Sequence, residues 1–167
     1  MIKTVKGNLL SVTEGIILHG VNCQGVMGSG IALQIRNKYP VVYHNYTSLF
    51  NKLKEQKIDK ATLLGSIQEV IINKDLSIIN CFTQLYYGRD PKVRYIDYVA
   101  LERCLELVIQ LFNTKKLTNS DFKPLIAFPR IGAGLANGDW SVIENIIEKT
   151  LGKYSHAVSL ELYDIKQ

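Results

Sequence analysis

Apolar positions along the chain follow two alternating rhythms. Ile2–Val5 and Gly15–Cys23 (GIILHGVNC) are apolar runs of strand length. From Gly28-Ser29-Gly30 onward, Ile31, Leu33, Ile35 and Tyr39 open a helical pattern that Pro40 closes. Val41–Lys57 is helical again, with Tyr43, Tyr46, Leu49, Phe50 and Leu53 at three- and four-residue steps. Thr62–Ile72 and Leu76–Thr83 are β-rich and flank Asn73-Lys74-Asp75, which suits a hairpin turn. Ile96–Phe112 returns to helical spacing through Val99, Leu101, Cys104, Leu105, Val108 and Leu111. Pro124–Phe128 predicts a buried strand, and the glycine-rich segment Gly132–Gly138 follows it. Asp139 then stands at an N-cap position before a helix over Ser141–Leu151, and Ala157–Tyr163 reads as the last strand. Strands interleaved with helices predict an α/β domain: a mixed, mostly parallel sheet covered on both faces, with some antiparallel character at the hairpin.

Size and composition narrow this picture. A chain of 167 residues is expected to form one domain over 1–167, large enough to bury a core without staples. With 47% hydrophobic and 21% charged residues it has the balance of a globular protein, which excludes a disordered chain. Cys23, Cys81 and Cys104 are an odd number with no CxxC pair, so neither a disulfide framework nor a zinc site is expected. No His, Asp or Glu cluster has ligand spacing, and no metal or cofactor is implied. No apolar run approaches about 18 residues and no signal peptide opens the chain, so a cytoplasmic, non-membrane protein is expected. No long exposed apolar stripe argues against a monomer. The net charge of +5 favours an anionic ligand, but the cations are too scattered for a duplex-binding surface.

Candidate chemistry gathers in two glycine-rich loops, each between a predicted strand and a predicted helix. The first is Asn22-Cys-Gln-Gly-Val-Met-Gly-Ser-Gly-Ile-Ala; the second runs from Pro129 through Arg130, Gly132, Gly134 and Gly138 to Trp140. Neither contains Gly-Lys-Ser/Thr, and Gly25-x-x-Gly28-x-Gly30 reverses the order of the dinucleotide fingerprint. Glycine serves tight turns, and it also lets backbone amides approach an anion beside a helix N-terminus. Two such loops could clamp a diphosphate from opposite sides. Asn22 and Asp139 border them and could hold ribose hydroxyls.

Single residues carry paired readings. Asp139 could handle a water at a phosphate or simply cap its helix. His19, within an apolar strand, is either a core histidine or a proton donor to a leaving group. Cys23 lacks the nearby arginine a cysteine phosphatase needs and reads as packing. Tyr86, Tyr87 and Arg89 follow a strand end and could cover a ligand or merely pack. His44 and His156 have no accompanying constellation.

These residues resemble the macrodomain family, whose members bind ADP-ribose, and the resemblance runs from Val5-Lys-Gly-Asn-Leu-Leu to the final strand. It implies a three-layer α/β/α fold. It also implies adenine contact at Gly7-Asn8-Leu9, with Asn8 for the family's Asp, and distal-ribose contact at Asn22. By the same resemblance Gly25, Met27, Gly28, Ser29, Gly30 and Ile31 form one phosphate loop. Arg130, Gly132, Ala133, Gly134, Leu135 and Ala136 form the other, with Leu135 and Ala136 near the distal ribose. His19, Asn22-Cys23, Ile31-Ala32, Tyr39-Pro40 and Cys81-Phe82-Thr83 look like the ADP-ribose-1''-phosphate phosphatase branch. That branch implies hydrolysis of the 1''-phosphate, with Asn22, Asp139 and His19 as catalytic candidates and a small-molecule partner. The alternatives are a glycohydrolase removing ADP-ribose from protein or nucleic acid, and a non-catalytic reader. Gln84 stands where the glycohydrolase branch has lysine, and Ala136 where one of its groups has an acid.

Overall fold

The computed structural model describes residues 1–164. Along the chain lie β1 (Ile2–Lys6), β2 (Gly15–Asn22), α1 (Gly30–Lys38), α2 (Pro40–Glu55), β3 (Ile67–Ile71) and β4 (Leu76–Gln84). Then come α3 (Tyr98–Thr118), β5 (Leu125–Phe128), α4 (Trp140–Thr150) and β6 (Ser159–Asp164). Short 3-10 turns occupy Leu9–Ser11, Lys60–Leu63 and Leu151–Tyr154.

The six strands form one sheet in the order β1-β6-β5-β2-β4-β3. All neighbours are parallel except β3, which runs antiparallel to β4 through the turn after Ile71. β2 and β4 lie inside the sheet with helices on both faces, which is why they read as apolar runs rather than alternations. Ile16, Ile17 and Leu18 of β2 are fully buried, and each such side chain contributes roughly 1.5–3 kcal/mol.

Two cores flank the sheet. Leu101, Leu105, Val108 and Phe112 of α3 pack with Ile143 and Ile147 of α4 on one face. Ile35 of α1 and Val42 and Tyr46 of α2 pack on the other. This is the α/β/α layering expected from the sequence.

Several boundaries differ from the sequence reading. The strand expected from Thr62 begins only at Ile67, because Asp59 accepts from the Ala61 amide and holds a 3-10 turn there. Pro40 both ends α1 and occupies the first turn of α2, where its missing N–H costs nothing. α3 starts at Tyr98 rather than Ile96: Asp97 caps it by accepting from the Ala100 amide at 2.9 Å, while Ile96 bridges to Gln84. It also runs to Thr118, well past Phe112. Asp139 caps α4 as the sequence indicated.

Candidate functional site

β2 and β5 are sheet neighbours, yet their chains leave in opposite directions. After β2 the chain enters α1 on one face; after β5 it enters α4 on the other. Loops that part in this way leave a crevice beyond the strand ends, the usual ligand site of open α/β sheets. Here it is a cleft of about 760 Å³, walled by both glycine-rich loops and by the ends of β4 and β6. That volume suits a dinucleotide-sized ligand.

The first wall is built around Asn22. A register shift against β4 falls between Val21 and Asn22, so that Asn22 pairs with Gln84 at the end of the ladder. The Asn22 amide nitrogen donates to Val26 O at 2.8 Å, and its Oδ1 accepts from the Gln24 amide at 2.9 Å. The buried Tyr46 hydroxyl donates to the Asn22 carbonyl at 2.6 Å, with Oδ1 3.0 Å away. Asn22, only 7% exposed, therefore shapes the loop from within while bordering the cleft. Met27, Gly28, Ser29, Gly30 and Ile31 line the wall beside it. Ser29 holds the N-cap position of α1 without a side-chain cap bond, so the first amides of that helix are available to an anion.

The second wall is Arg130, Gly132, Ala133, Gly134, Leu135 and Ala136. Gly132 has φ +74°, and a Cβ there would fall on the Ile96 side chain, so only glycine fits. Asn137, also at positive φ, donates from its amide to Asp90 O at 2.9 Å and Val93 O at 2.7 Å. Ala136 O accepts from the Tyr95 and Ile96 amides. The loop is thereby tied to the segment between β4 and α3. Arg130 stacks over Trp140 and pairs with Asp164 at 3.2 Å, which fixes a cation at the rim. Arg89 adds a second.

Four of the expected residues lie outside this lining. Asn8 is exposed and caps the turn at Leu9–Ser11 by accepting from the Leu10 amide; Leu9 alone of that pair reaches the cleft. Gly25 sits over the Phe50 ring with φ +79°. Asp139 is exposed, and its Oδ1 accepts from both the amide and the hydroxyl of Ser141. Those hydrogen bonds, the hydroxyl's first, hold its carboxyl below the usual range.

His19 is fully buried within the sheet. Its Nε2 meets Asn80 Oδ1, the Asn80 amide donates to Gln68 Oε1, and the Gln68 amide donates to Asn45 O on α2. The terminal carbonyl can only accept, so the order of donors is set along the whole chain and His19 carries its proton on Nε2. Its Nδ1 has no partner. Burial, partly offset by the Asn80 bond, lowers its pKa to about 4. The structure places His19 in the core and Asp139 at the surface as a helix cap, and neither lines the cleft. Cys23 is likewise buried, which pushes its thiol up to about 11 and removes it as a nucleophile.

Other lining residues were not singled out from the sequence: Gly20, Val21, Gln34, Tyr163 and Asp164. Tyr163 and Asp164 end a strand far along the chain, and only the sheet order brings that end beside β5. Gln84 lines the cleft and donates to Tyr86 O. Among the described residues no three His, Cys, Asp or Glu side chains gather to hold a metal ion. No described helix is long and apolar enough to cross a membrane.

The chain belongs to the Macro domain family, whose profile matches residues 18–147. It is 31% identical to an uncharacterised 17.5 kDa protein of enterobacteria phage T4, covering 98% of this chain and 96% of the phage protein. It is 27% identical to an ADP-ribose 1''-phosphate phosphatase of Saccharomyces cerevisiae, over 92% of this chain and 95% of that protein. A DNA ADP-ribosyl glycohydrolase of Mycobacterium tuberculosis is 31% identical over 86% of this chain, which spans only 37% of that protein. Among solved structures, a Streptomyces coelicolor macrodomain superposes with a TM-score of 0.74 at 23% identity, covering 99% of this chain and all of that one. A Thermosipho africanus protein solved in complex with ADP-ribose superposes with a TM-score of 0.72 at 17% identity, covering 98% of this chain and 41% of that one.

Proposed function

We propose that the cleft binds ADP-ribose-type ligands and that the protein hydrolyses the 1''-phosphate of ADP-ribose-1''-phosphate. The observation that carries the reading is the pair of glycine loops on neighbouring strands, parting to opposite faces around a cleft of about 760 Å³. Amides from the first turn of α1 and from 132–136 hold the diphosphate and the terminal phosphate, helped by Arg130 and Arg89. Asn22, already fixed by Tyr46 and Val26, orients the distal ribose.

In hydrolysis a water oxygen bonds to phosphorus while the bond from phosphorus to the 1'' oxygen breaks. The leaving oxygen sits on a hemiacetal carbon and departs more readily than an ordinary sugar hydroxyl. With His19 and Asp139 away from the cleft, the catalytic work assigned to this chain is charge stabilisation by fixed amides and arginines. The near-full-length yeast relative named for this phosphatase activity supports the reading.

Removal of ADP-ribose from a conjugate is the second reading, favoured by the mycobacterial relative. Gln84, on the cleft where that branch has lysine, speaks against the lysine-dependent form. The deciding experiment measures phosphate release from ADP-ribose-1''-phosphate with chelator present, alongside calorimetry with ADP-ribose. Release together with binding is expected. Binding without release transfers the function to a reader or glycohydrolase, and loss of both removes the loops' role altogether.

A further inference from the structure

The floor of the cleft carries a polar group that the fold leaves unused. Val21 pairs with Phe82 and Asn22 with Gln84, so the ladder between β2 and β4 skips Thr83. An extra residue of this kind re-aims its side chain, and such bulges recur beside binding sites. The Thr83 carbonyl accepts from the Asp97 amide at 2.8 Å, whereas its hydroxyl has no hydrogen-bond partner among the described residues. Thr83 is only 1% exposed, and it lines the cleft together with Gly20 and Ile131.

Gly20 keeps space open in front of this hydroxyl. A Cβ there would lie 2.7 Å from Thr83 Oγ1 and 3.3 Å from Ile131 Cγ2. The missing side chain leaves a pit walled by one hydroxyl, one methyl and strand backbone, with Gly20 itself paired to Cys81 in the ladder. A buried hydroxyl without a partner is costly, so the pit calls for an occupant. A buried water needs roughly two to four polar partners, and the side chains here offer one. A phosphate calls for amides or cations. A sugar hydroxyl on its own carbon matches both walls, with oxygen for Thr83 and a C–H edge for Ile131.

We propose that the pit takes one hydroxyl of the sugar beyond the diphosphate, hydrogen-bonded to Thr83 Oγ1. The neighbouring Gln84 pairs with Asn22, so Thr83 stands at the Asn22 end of the cleft. The inference rests on the ADP-ribose reading and adds to it a residue that selects ADP-ribose over ADP.

The test is calorimetry of the full chain with ADP-ribose and with ADP, on wild type, Thr83→Val and Thr83→Ser. Valine keeps the shape and drops the hydroxyl, while serine keeps the hydroxyl. Thr83→Val is expected to bind ADP-ribose about tenfold more weakly than wild type does, with Thr83→Ser close to wild type. ADP should bind all three alike, which also shows that the cleft is intact. ADP-ribose analogues lacking the 2'' or the 3'' hydroxyl locate the bond. One of them should bind wild type about tenfold more weakly than ADP-ribose does, yet bind Thr83→Val as well as ADP-ribose binds that variant. Equal loss of ADP and ADP-ribose in Thr83→Val overturns the proposal, because the residue then shapes the cleft without touching the sugar. Undiminished ADP-ribose binding by Thr83→Val overturns it too, and leaves the ADP-ribose reading standing. A wild-type chain that does not bind ADP-ribose overturns that reading and the role of the pit with it.

Discussion

His19 sits in the middle of the sheet with a bare Nδ1, so adding a proton there places an uncompensated charge among β2, β4 and α2. Its pKa is about 4 in the folded chain against an ordinary value of 6.5. A depressed histidine favours the fold fully above its unfolded pKa, and that contribution is lost as pH falls from there toward the folded value. Between about pH 7 and about pH 5 the loss is about 2 kcal/mol, read as a drop in the denaturation midpoint in urea. His19→Gln, with no titrating group, should flatten this part of the profile. If the wild-type midpoint is level over that range, the buried chain from His19 to Asn45 is not formed as described.

Asp139 and Asn137 act through the elements they join. Asp139 caps α4, and removing the cap in Asp139→Ala is expected to cost about 1 kcal/mol of stability. Phosphate release should stay close to wild type, because the carboxylate does not border the cleft. Asp139→Asn keeps a capping oxygen and should recover the stability. A collapse of turnover in both variants at unchanged ADP-ribose affinity would restore the catalytic role that its place in the sequence suggested.

Asn137 makes the second glycine loop and the 85–97 segment one unit. Asn137→Gly preserves the positive φ and deletes both bonds, and ADP-ribose affinity measured by calorimetry should fall about tenfold. Asn137→Ala adds backbone strain of roughly 1–2 kcal/mol and should bind more weakly still. Equal affinity in all three chains would mean the two segments are not coupled.

At the scale of the whole molecule, ligand and fold are linked. A ligand that bridges loops from β2 and β5 binds only the assembled sheet, because the unfolded chain has no cleft. ADP-ribose at about 100 times its Kd should add about 2.7 kcal/mol. For a chain of this size the thermal midpoint should then rise by roughly 5–10 °C. ADP should give a smaller rise at the same concentration, since it leaves the distal ribose end empty. A midpoint indifferent to both would count against the cleft as the binding site.

Most of the fold was legible in the chain. Periodicity decided the strands at Gly15 and Leu76 and the helices over 41–57 and 96–112, because a buried strand and a two-sided helix impose different spacings on apolar residues. It misjudged Thr62 and Ile96, where a single acidic cap overrode the apolar pattern. The glycine loops were legible as well, since close approach to a ligand or a neighbouring turn demands glycine at fixed places. The identities of Asn22 and Asp139 were legible, but not their surroundings. A histidine three residues from the first loop looks catalytic on a line. The pleat of β2 turns it into the layer under α2, where Asn80 and Gln68 claim it. Tyr163 and Asp164 meet the cleft only because β6 inserts between β1 and β5. The sequence alone thus determined the elements and the two glycine loops, both of which depend on local spacing. Tertiary structure alone decided which side chains line the cleft, because strand order and side-chain facing arise from pairings between distant segments.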